Sequence, residues 1–278
     1  MTRAVAYAKV NLALVVGAPR AGGRHEVVTL LQAVELSDRI ELEQSGALTV
    51  EGFEDDTIVS AALEALALAA RTEPRWRIRI DKQIPVAAGL GGGSSDAAAA
   101  LRLANAELAE PLADDDLLRV AGTIGADVPF FLRQGPQLAT GNGTELRPVE
   151  LPDDYRVLLV VPDGVAKRST RAVYDEFDKR DGPDGFEERV GEVLRMVGRI
   201  ETAKDLAALP RNDLASSPLT DELEQAGAFR ADVSGAGPTV YALYARARDA
   251  ARAAATFSAR GRTFVTRPVR DDLPPLAR

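Results

Sequence analysis

The chain has 278 residues, 46% of them apolar and 27% charged, and a net charge of −8. That is enough for one large or two ordinary globular domains, with no basic footprint for nucleic acid or an anionic membrane. Cysteine is absent and His25 is the single histidine, which excludes disulfides, thiolate chemistry and any zinc centre built on several Cys or His ligands.

The N-terminal stretch is apolar but broken by Lys9 and Asn11. It lacks the basic start and unbroken apolar centre of a signal peptide, and no segment reaches the roughly 18 apolar residues of a membrane span. A cytoplasmic protein with small-molecule partners is expected. Residues 3–16 and 26–43, rich in Val, Leu and Ile, predict strands, and "TIVSAALEALALAAR" (57–71) predicts a helix. "WRIRI" (76–80) alternates apolar and basic residues, as a half-buried strand does. A helix over 94–108 and another from Asp114, with carboxylates in its first turn, follow. After "LPDD" (151–154), read as the boundary between domains 1–150 and 151–278, the pattern restarts with a buried strand at 155–162. Helices at 169–178 and 185–200 flank a turn-rich loop at 179–188. A strand, tight turn and strand over 231–245, a helix over 247–260 and a strand over 262–269 complete the chain. Both halves are α+β, without the strict βαβ alternation of a doubly wound sheet.

Between the 76–80 strand and the next helix lies "PVAAGLGGGSSDAAAA" (85–100). Glycine contributes nothing to a core and costs backbone entropy, so four glycines in five positions need a reason. A glycine-rich loop feeding a helix N-terminus lets backbone N–H groups close on an anion. The stretch has neither the Lys of a Walker loop nor the sixth-position glycine of a dinucleotide fingerprint, where Ser94 stands. It therefore reads as a phosphate loop of a third type, with Ser94 and Ser95 able to cap the helix or offer hydroxyls.

This loop resembles the second motif of the GHMP kinases (galactose, homoserine, mevalonate and phosphomevalonate kinases). "AYAKVNLAL" (6–14) is similar to their first motif and "ADVSGAGPTVYAL" (231–243) to their third. "GRHEVVTLLQAVELSD" (23–38) and "GADVPFFL" (125–132) narrow the resemblance to the branch acting on 4-diphosphocytidyl-2-C-methyl-D-erythritol in the non-mevalonate isoprenoid route. The resemblance implies a two-domain α+β fold with the active site in the cleft between halves, and transfer of the γ-phosphoryl group of ATP to the acceptor's 2-hydroxyl. It assigns Pro85, Val86, Ala87, Ala88, Gly89, Leu90, Gly91, Gly92, Gly93, Ser94 and Ser95 to ATP. Mg2+ is implied by the ATP chemistry, and no carboxylate cluster advertises ligands for it.

The same resemblance makes Lys9 and Asp127 the catalytic pair. On the sequence alone a strand lysine is ordinarily a solvated outer-face residue, and an Asp before Val-Pro a turn residue. Lys9 and Asn11, two apart, share one strand face, where they would keep Asp127 ionised and bind the acceptor hydroxyl. His25 matches a family histidine that helps recognise cytosine. Arg24 stands where the family has tyrosine, and its guanidinium plane can stack on a base or meet a diphosphate. Tyr174 aligns with a second aromatic that sandwiches the base in the family, or is a core aromatic on its helix. Thr57 replaces an amide in "DDTIV" (55–59), and Ser234, Gly235 and Gly237 form a tight turn near the site in the family or a plain β-turn. Another small-alcohol kinase, or a nucleotide sensor without turnover, remains open on these residues.

Overall fold

The computed structural model describes residues 1–20, 23–53, 58–165 and 169–269. Its spine is a long antiparallel hairpin of β1 (Thr2–Pro19) and β2 (His25–Gln44). Along β2 the hairpin continues into β4 (Trp76–Asp81) at one end and β5 (Gln137–Thr140) at the other. Two short strands, β3 (Thr49–Glu51) and β6 (Glu145–Pro148), complete a six-stranded sheet, parallel only at β3–β4. The period-2 pattern decides the faces. Trp76, Ile78 and Ile80 alternate inward with Ile40 and Leu42, under α1 (Ile58–Ala69), α2 (Gly92–Ala106) and α3 (Asp114–Ile124). Arg77 and Arg79 point the other way, Arg77 pairing with Glu43 at 2.7 Å.

The second sheet comes from the later half, in the order β10 (Gly261–Thr266), β7 (Arg156–Pro162), β9 (Val240–Tyr244), β8 (Arg230–Val233). Its two faces are both buried. Val157, Leu159, Tyr241 and Leu243 pack against Ala8, Val10, Leu12 and Val15 of β1, with α5 (Phe186–Val197) closing the side. Leu158, Val160, Ala242 and Tyr244 face α6 (Leu219–Gln225) and α7 (Ala247–Phe257). A further helix, α4 (Thr170–Lys179), lays Val173 and Phe177 on Leu14, Val16 and Val27 of the hairpin. The chain leaves the first sheet at Pro148 and enters the second at Arg156, yet the core between the sheets draws on both halves.

One irregularity of β1 positions the site. The register runs Asn11↔Leu31 and then Ala13↔Leu30, so Leu12 has no partner and forms a β-bulge. Such a bulge reverses which face later residues take. Leu12 and Ala13 both enter the inter-sheet core, while Lys9 and Asn11 before the bulge and Leu14 after it turn to the opposite side.

The predicted elements at 3–16, 26–43, 57–71, 76–80, 155–162, 169–178, 231–245 and 262–269 correspond to observed ones. The glycine-loop helix begins at Gly92 rather than 94, and the helices expected over 185–200 and 247–260 end at Val197 and Phe257. The short strands β3, β5 and β6, and α6 with the 3-10 turn Ala203–Ala208, are additions; three- or four-residue strands carry too little periodicity to read. Thr57 lies outside the described residues.

Candidate active site

Lys9 and Asn11 leave β1 side by side, both 4% exposed. The Lys9 Nζ donates to Asn11 Oδ1 at 2.7 Å, Asn11 Nδ2 donates to Thr29 Oγ1 at 2.9 Å, and Thr29 Oγ1 donates to the Ala13 carbonyl at 2.7 Å. This chain of bonds fixes the ammonium, whose other partner is Asp127 Oδ2 at 3.4 Å. Asp127 sits on the short link between Gly125, where α3 ends in extended backbone, and Pro129, which opens a 3-10 turn. Its side chain is 38% exposed, the Lys9 side chain 5%. The carboxylate therefore stands at the cleft wall, within reach of a ligand, while its cationic partner is fixed behind it.

The glycine loop packs against this pair. Ala87, Gly89 and Gly91 adopt φ of 52°, 80° and 70°. At Gly89 a Cβ would lie 2.2 Å from the Ser234 carbonyl oxygen, and at Gly91 it would lie 3.0 Å from Lys9 Cγ, so both positions exclude a side chain for two reasons. Three successive loop carbonyls are tied to protein donors: Ala88 to Thr239 N at 3.3 Å, Gly89 to Ser234 Oγ at 2.9 Å, Leu90 to Lys9 N at 3.0 Å. The N-cap of α2 is Gly91, with no side-chain cap. The first-turn amides of Gly92, Gly93 and Ser94 consequently lack an intrahelical acceptor and are left to a ligand, at the positive end of the helix dipole. Residues 85–94 with Phe53, Ile58 and Lys82 line a cavity of about 270 Å³. Within it Ala88 and Leu90 offer backbone only, since their side chains are buried in the inter-sheet core.

Ser95 departs from expectation, as does the capping role considered for the two serines. Neither caps α2. The Ser95 N–H already bonds to the Gly91 carbonyl at 2.9 Å, and its side chain, 2% exposed, lines a separate small recess with Tyr7, Ala99, Arg102 and Phe130. Because the helix starts two residues early, Ser95 has rotated off the loop face.

Lys82 was not singled out from sequence, though it directly follows β4 just before the loop. Its Nζ lies 2.5 Å from Asp38 Oδ2 and 2.7 Å from Asp96 Oδ2. Asp38, fully buried, also accepts the Gln83 and Ile84 amides at 2.5 and 2.8 Å, which holds the turn into the loop. A Cβ at Gly92 would meet the Lys82 Nζ at 3.3 Å, so this cation stands beside the helix N-terminus. Among the described residues no group of three or more His, Asp or Glu could hold a metal ion.

A larger cavity of about 970 Å³ adjoins the first, sharing Ala87, Gly89, Gly91 and Ser94, and runs past Lys9, Asn11 and Asp127 to His25, Arg24 and Tyr174. His25 Nε2 and Asp178 Oδ1 are 2.8 Å apart, and the His25 ring lies on Tyr174 at 4.6 Å and 38°. His25, expected to help recognise the base, and Tyr174, expected as an aromatic flanking it, thus contact each other, leaving no gap for a third ring between them; the Asp178 bond holds His25 over. Tyr174 packs into the α4 core, the second of its two readings, and its edge also lines the cleft. Burial pushes its hydroxyl up to about 12, and the charge of Asp127 adds to the effect. Arg24 is exposed on the β1–β2 turn at the cleft rim.

The Ser234–Gly237 turn closes the floor. A Cβ on Gly235 would lie 3.4 Å from both Asn11 Oδ1 and Lys9 Nζ. Asn212 Nδ2 holds the turn by donating to the Val233 and Gly235 carbonyls at 2.9 and 2.7 Å. Nothing in the periodicity of residues 201–218 pointed to Asn212; the short polar run "RND" between two proline-bounded stretches was its only mark.

Residues 57–135 match the family of GHMP kinases N terminal domains, and residues 194–263 that of GHMP kinases C terminal. The chain is 37% identical to the 4-diphosphocytidyl-2-C-methyl-D-erythritol kinase of Salinispora arenicola (strain CNS-205), over 91% of this chain and 86% of the relative. It is also 37% identical to the protein of that name from Pelotomaculum thermopropionicum (strain DSM 13744 / JCM 10971 / SI), over 91% and 93%. A crystal structure of 4-(cytidine 5'-diphospho)-2C-methyl-D-erythritol kinase superposes with a TM-score of 0.77 at 31% identity, covering 96% of this chain and 98% of the other. A mevalonate kinase crystal structure, TM-score 0.76 at 17% identity over 96% and 99%, shares the fold.

Proposed function

The chain belongs to the family of 4-diphosphocytidyl-2-C-methyl-D-erythritol kinases, ATP-dependent small-molecule kinases of the GHMP class, and we propose that its reaction runs on Lys9, Asn11 and Asp127. The reaction moves the γ-phosphoryl group of ATP to the 2-hydroxyl of 4-diphosphocytidyl-2-C-methyl-D-erythritol, an isoprenoid precursor of the non-mevalonate route. The observation that carries the residue roles is the placement of the Lys9–Asp127 contact where the glycine-lined cavity meets the larger one.

Phosphoryl transfer asks the protein mainly for positioning and charge. Residues 85–94 hold the phosphates on backbone amides, with Lys82 beside them. Asp127 accepts the proton of the acceptor hydroxyl as its oxygen bonds to the γ-phosphorus. The bond from that phosphorus to the β–γ bridging oxygen breaks, and ADP leaves. Lys9 holds Asp127 ionised and offsets charge gathering on the phosphoryl oxygens. When bound, Mg2+ supplies further neutralisation on the phosphates. At the far end, His25, Tyr174 and Arg24 receive the cytidine diphosphate, with the base stacked on the outer face of the His25–Tyr174 pair and Arg24 placed for the diphosphate. A cytoplasmic location fits this chemistry.

The test is ADP release with ATP, Mg2+ and a panel of acceptors: the cytidyl compound, the same alcohol phosphate without cytidine, homoserine and mevalonate. Turnover confined to the cytidyl compound is expected. Turnover only with another acceptor would overturn the substrate assignment, and ATP binding with no turnover on any acceptor would point to a sensor.

A further inference from the structure

Among the described residues the outer edge of β1 has no partner strand, and groups from elsewhere in the chain bond to it. Lys9 N donates to the Leu90 carbonyl, Asp213 N donates to the Leu14 carbonyl at 2.9 Å, and Asp213 Oδ2 accepts Val16 N at 2.8 Å. Midway stands the bulged Leu12, whose carbonyl accepts Arg230 Nη2 at 2.9 Å and the Tyr241 hydroxyl at 3.3 Å. Arg230 is on β8 of the other sheet and only 1% exposed. Its remaining bonds go to Tyr241 Oη at 3.2 Å, to the Ala207, Leu209 and Pro210 carbonyls at 3.5, 2.6 and 2.9 Å, and to Asp232 Oδ2 at 3.1 Å. Asp232 Oδ2 also accepts Asn212 N at 3.0 Å, and Asn212 carries the Gly235 turn that sits on Lys9 and Gly89.

Burying a guanidinium costs solvation that an apolar side chain of similar volume would not lose, so packing alone does not account for it. Its bonds join two things the chemistry needs in register. One is the bulge, which lets Lys9 and Asn11 face the cleft while Ala13 and Val15 face the core; with those two held in place, its loss would turn Asn11 and Lys9 into the core. The other is the turn that seats the glycine loop. We propose that Arg230 is a positioning residue for phosphoryl transfer: its guanidinium locks the Leu12 bulge and, through Asp232 and Asn212, the 234–237 turn, and so sets Lys9 against Asp127 and the loop. The proposal rests on the reading of Lys9 and Asp127 as the reacting pair.

Arg230→Met keeps the volume and loses the donors, and Arg230→Lys keeps the charge and loses the fork. Leu223→Ala, which hollows the far side of the same sheet, controls for lost stability. In both Arg230 variants kcat should fall about 10- to 100-fold, as an ångström-scale misplacement does, with KM for ATP and acceptor within about threefold of wild type. Leu223→Ala should melt earlier at unchanged kcat. The chain has five lysines, so a 13Cε-lysine label gives a spectrum in which the Lys9 signal, assigned by its absence from Lys9→Met, should move in the Arg230 variants only. An Arg230→Met enzyme with kcat within twofold of wild type, or an unmoved Lys9 signal, would overturn the proposal. Should the Arg230 variants not fold, Tyr241→Phe removes the second donor to Leu12; a kcat lowered about fivefold, the worth of one hydrogen bond, at unchanged KM is expected, and no change in kcat counts against it. A wild-type enzyme silent toward every acceptor would instead sink the proposed function, and the Lys9 signal alone would then judge Arg230.

Discussion

Lys9 and Asp127 approach to 3.4 Å with very different exposures, an arrangement that leaves the carboxylate open to a ligand and keeps the ammonium in place. Asp127→Asn should retain ATP affinity and lose about 10²- to 10⁴-fold in kcat, the range of one positioned proton acceptor; calorimetric titration with ATP beside steady-state rates checks it, and near-normal turnover would remove Asp127 from the mechanism. Lys9→Met should fall comparably and, with a buried charge removed beside Asn11, should not restore activity at higher pH. Asp96 tests a different quantity. Burial pushes its carboxyl up to about 8, against the pull of Lys82 and with the push of Asp38. A pKa raised in the folded state means the fold holds a proton the unfolded chain has released above about 3.8. Stability from this group is therefore complete below that pH and lost as pH rises through 8. Melting temperatures at pH 6, 7.5 and 9 should decline in wild type and flatten in Asp96→Asn; parallel curves would contradict this. Legibility at this scale followed residue chemistry. Lys9 and Asn11 could be named because a shared strand face and a motif resemblance both pointed to them, and Asp127 by the resemblance alone, whereas Lys82, Asn212 and Arg230 draw their roles largely on partners 14 to more than 200 positions away.

At the scale of the element, the glycine loop and α2 act as one device. The loop carbonyls are held by Thr239, Ser234 and Lys9, so the amides that follow face outward, and the uncapped start of α2 adds its own. Gly89→Ala places a methyl group against the Ser234 carbonyl at a φ of 80°. We expect a loss of about 1–3 kcal/mol from backbone strain, and more from the clash, read as a lower melting midpoint, together with weakened ATP binding. An enzyme with unchanged stability and ATP affinity would show that the loop can move off the 234–237 turn. The sequence put this helix two residues late, because glycine is a poor helix former; in place, Gly92 and Gly93 belong to its first turn, where Lys82 and Ile84 leave little space for a side chain at Gly92. That shift explains why Ser95 left the cleft.

Across the whole molecule, the two sheets are not independent bodies. β1 buries Ala8, Val10, Leu12 and Val15 against β7 and β9, and its edge depends on Leu90, Arg230, Tyr241 and Asp213. The far end of the second sheet returns to the hairpin as well: Glu35 N donates to the Arg267 carbonyl at 3.0 Å and Val269 N to the Ala33 carbonyl at 2.9 Å. Residues 1–150 expressed alone should therefore lack a dispersed, native-like amide NMR spectrum, since the core shared with the second sheet would be exposed. A well-folded fragment would show that the boundary near residues 151–154 divides the molecule energetically as well as topologically.

Composition and periodicity by themselves determined the α+β class, the long strands, most helices and the glycine loop ahead of α2, because each is written in short-range pattern: alternation of period two, a helical stripe, glycines against a helix start. The tertiary structure alone decided which way that pattern faces. The bulge at Leu12, the burial of Arg230, the turning of Ser95 away from the cleft and the contact between His25 and Tyr174 all depend on groups distant in sequence. A carbonyl without a strand partner is satisfied by whatever donor the fold brings to it, and local sequence does not specify that donor.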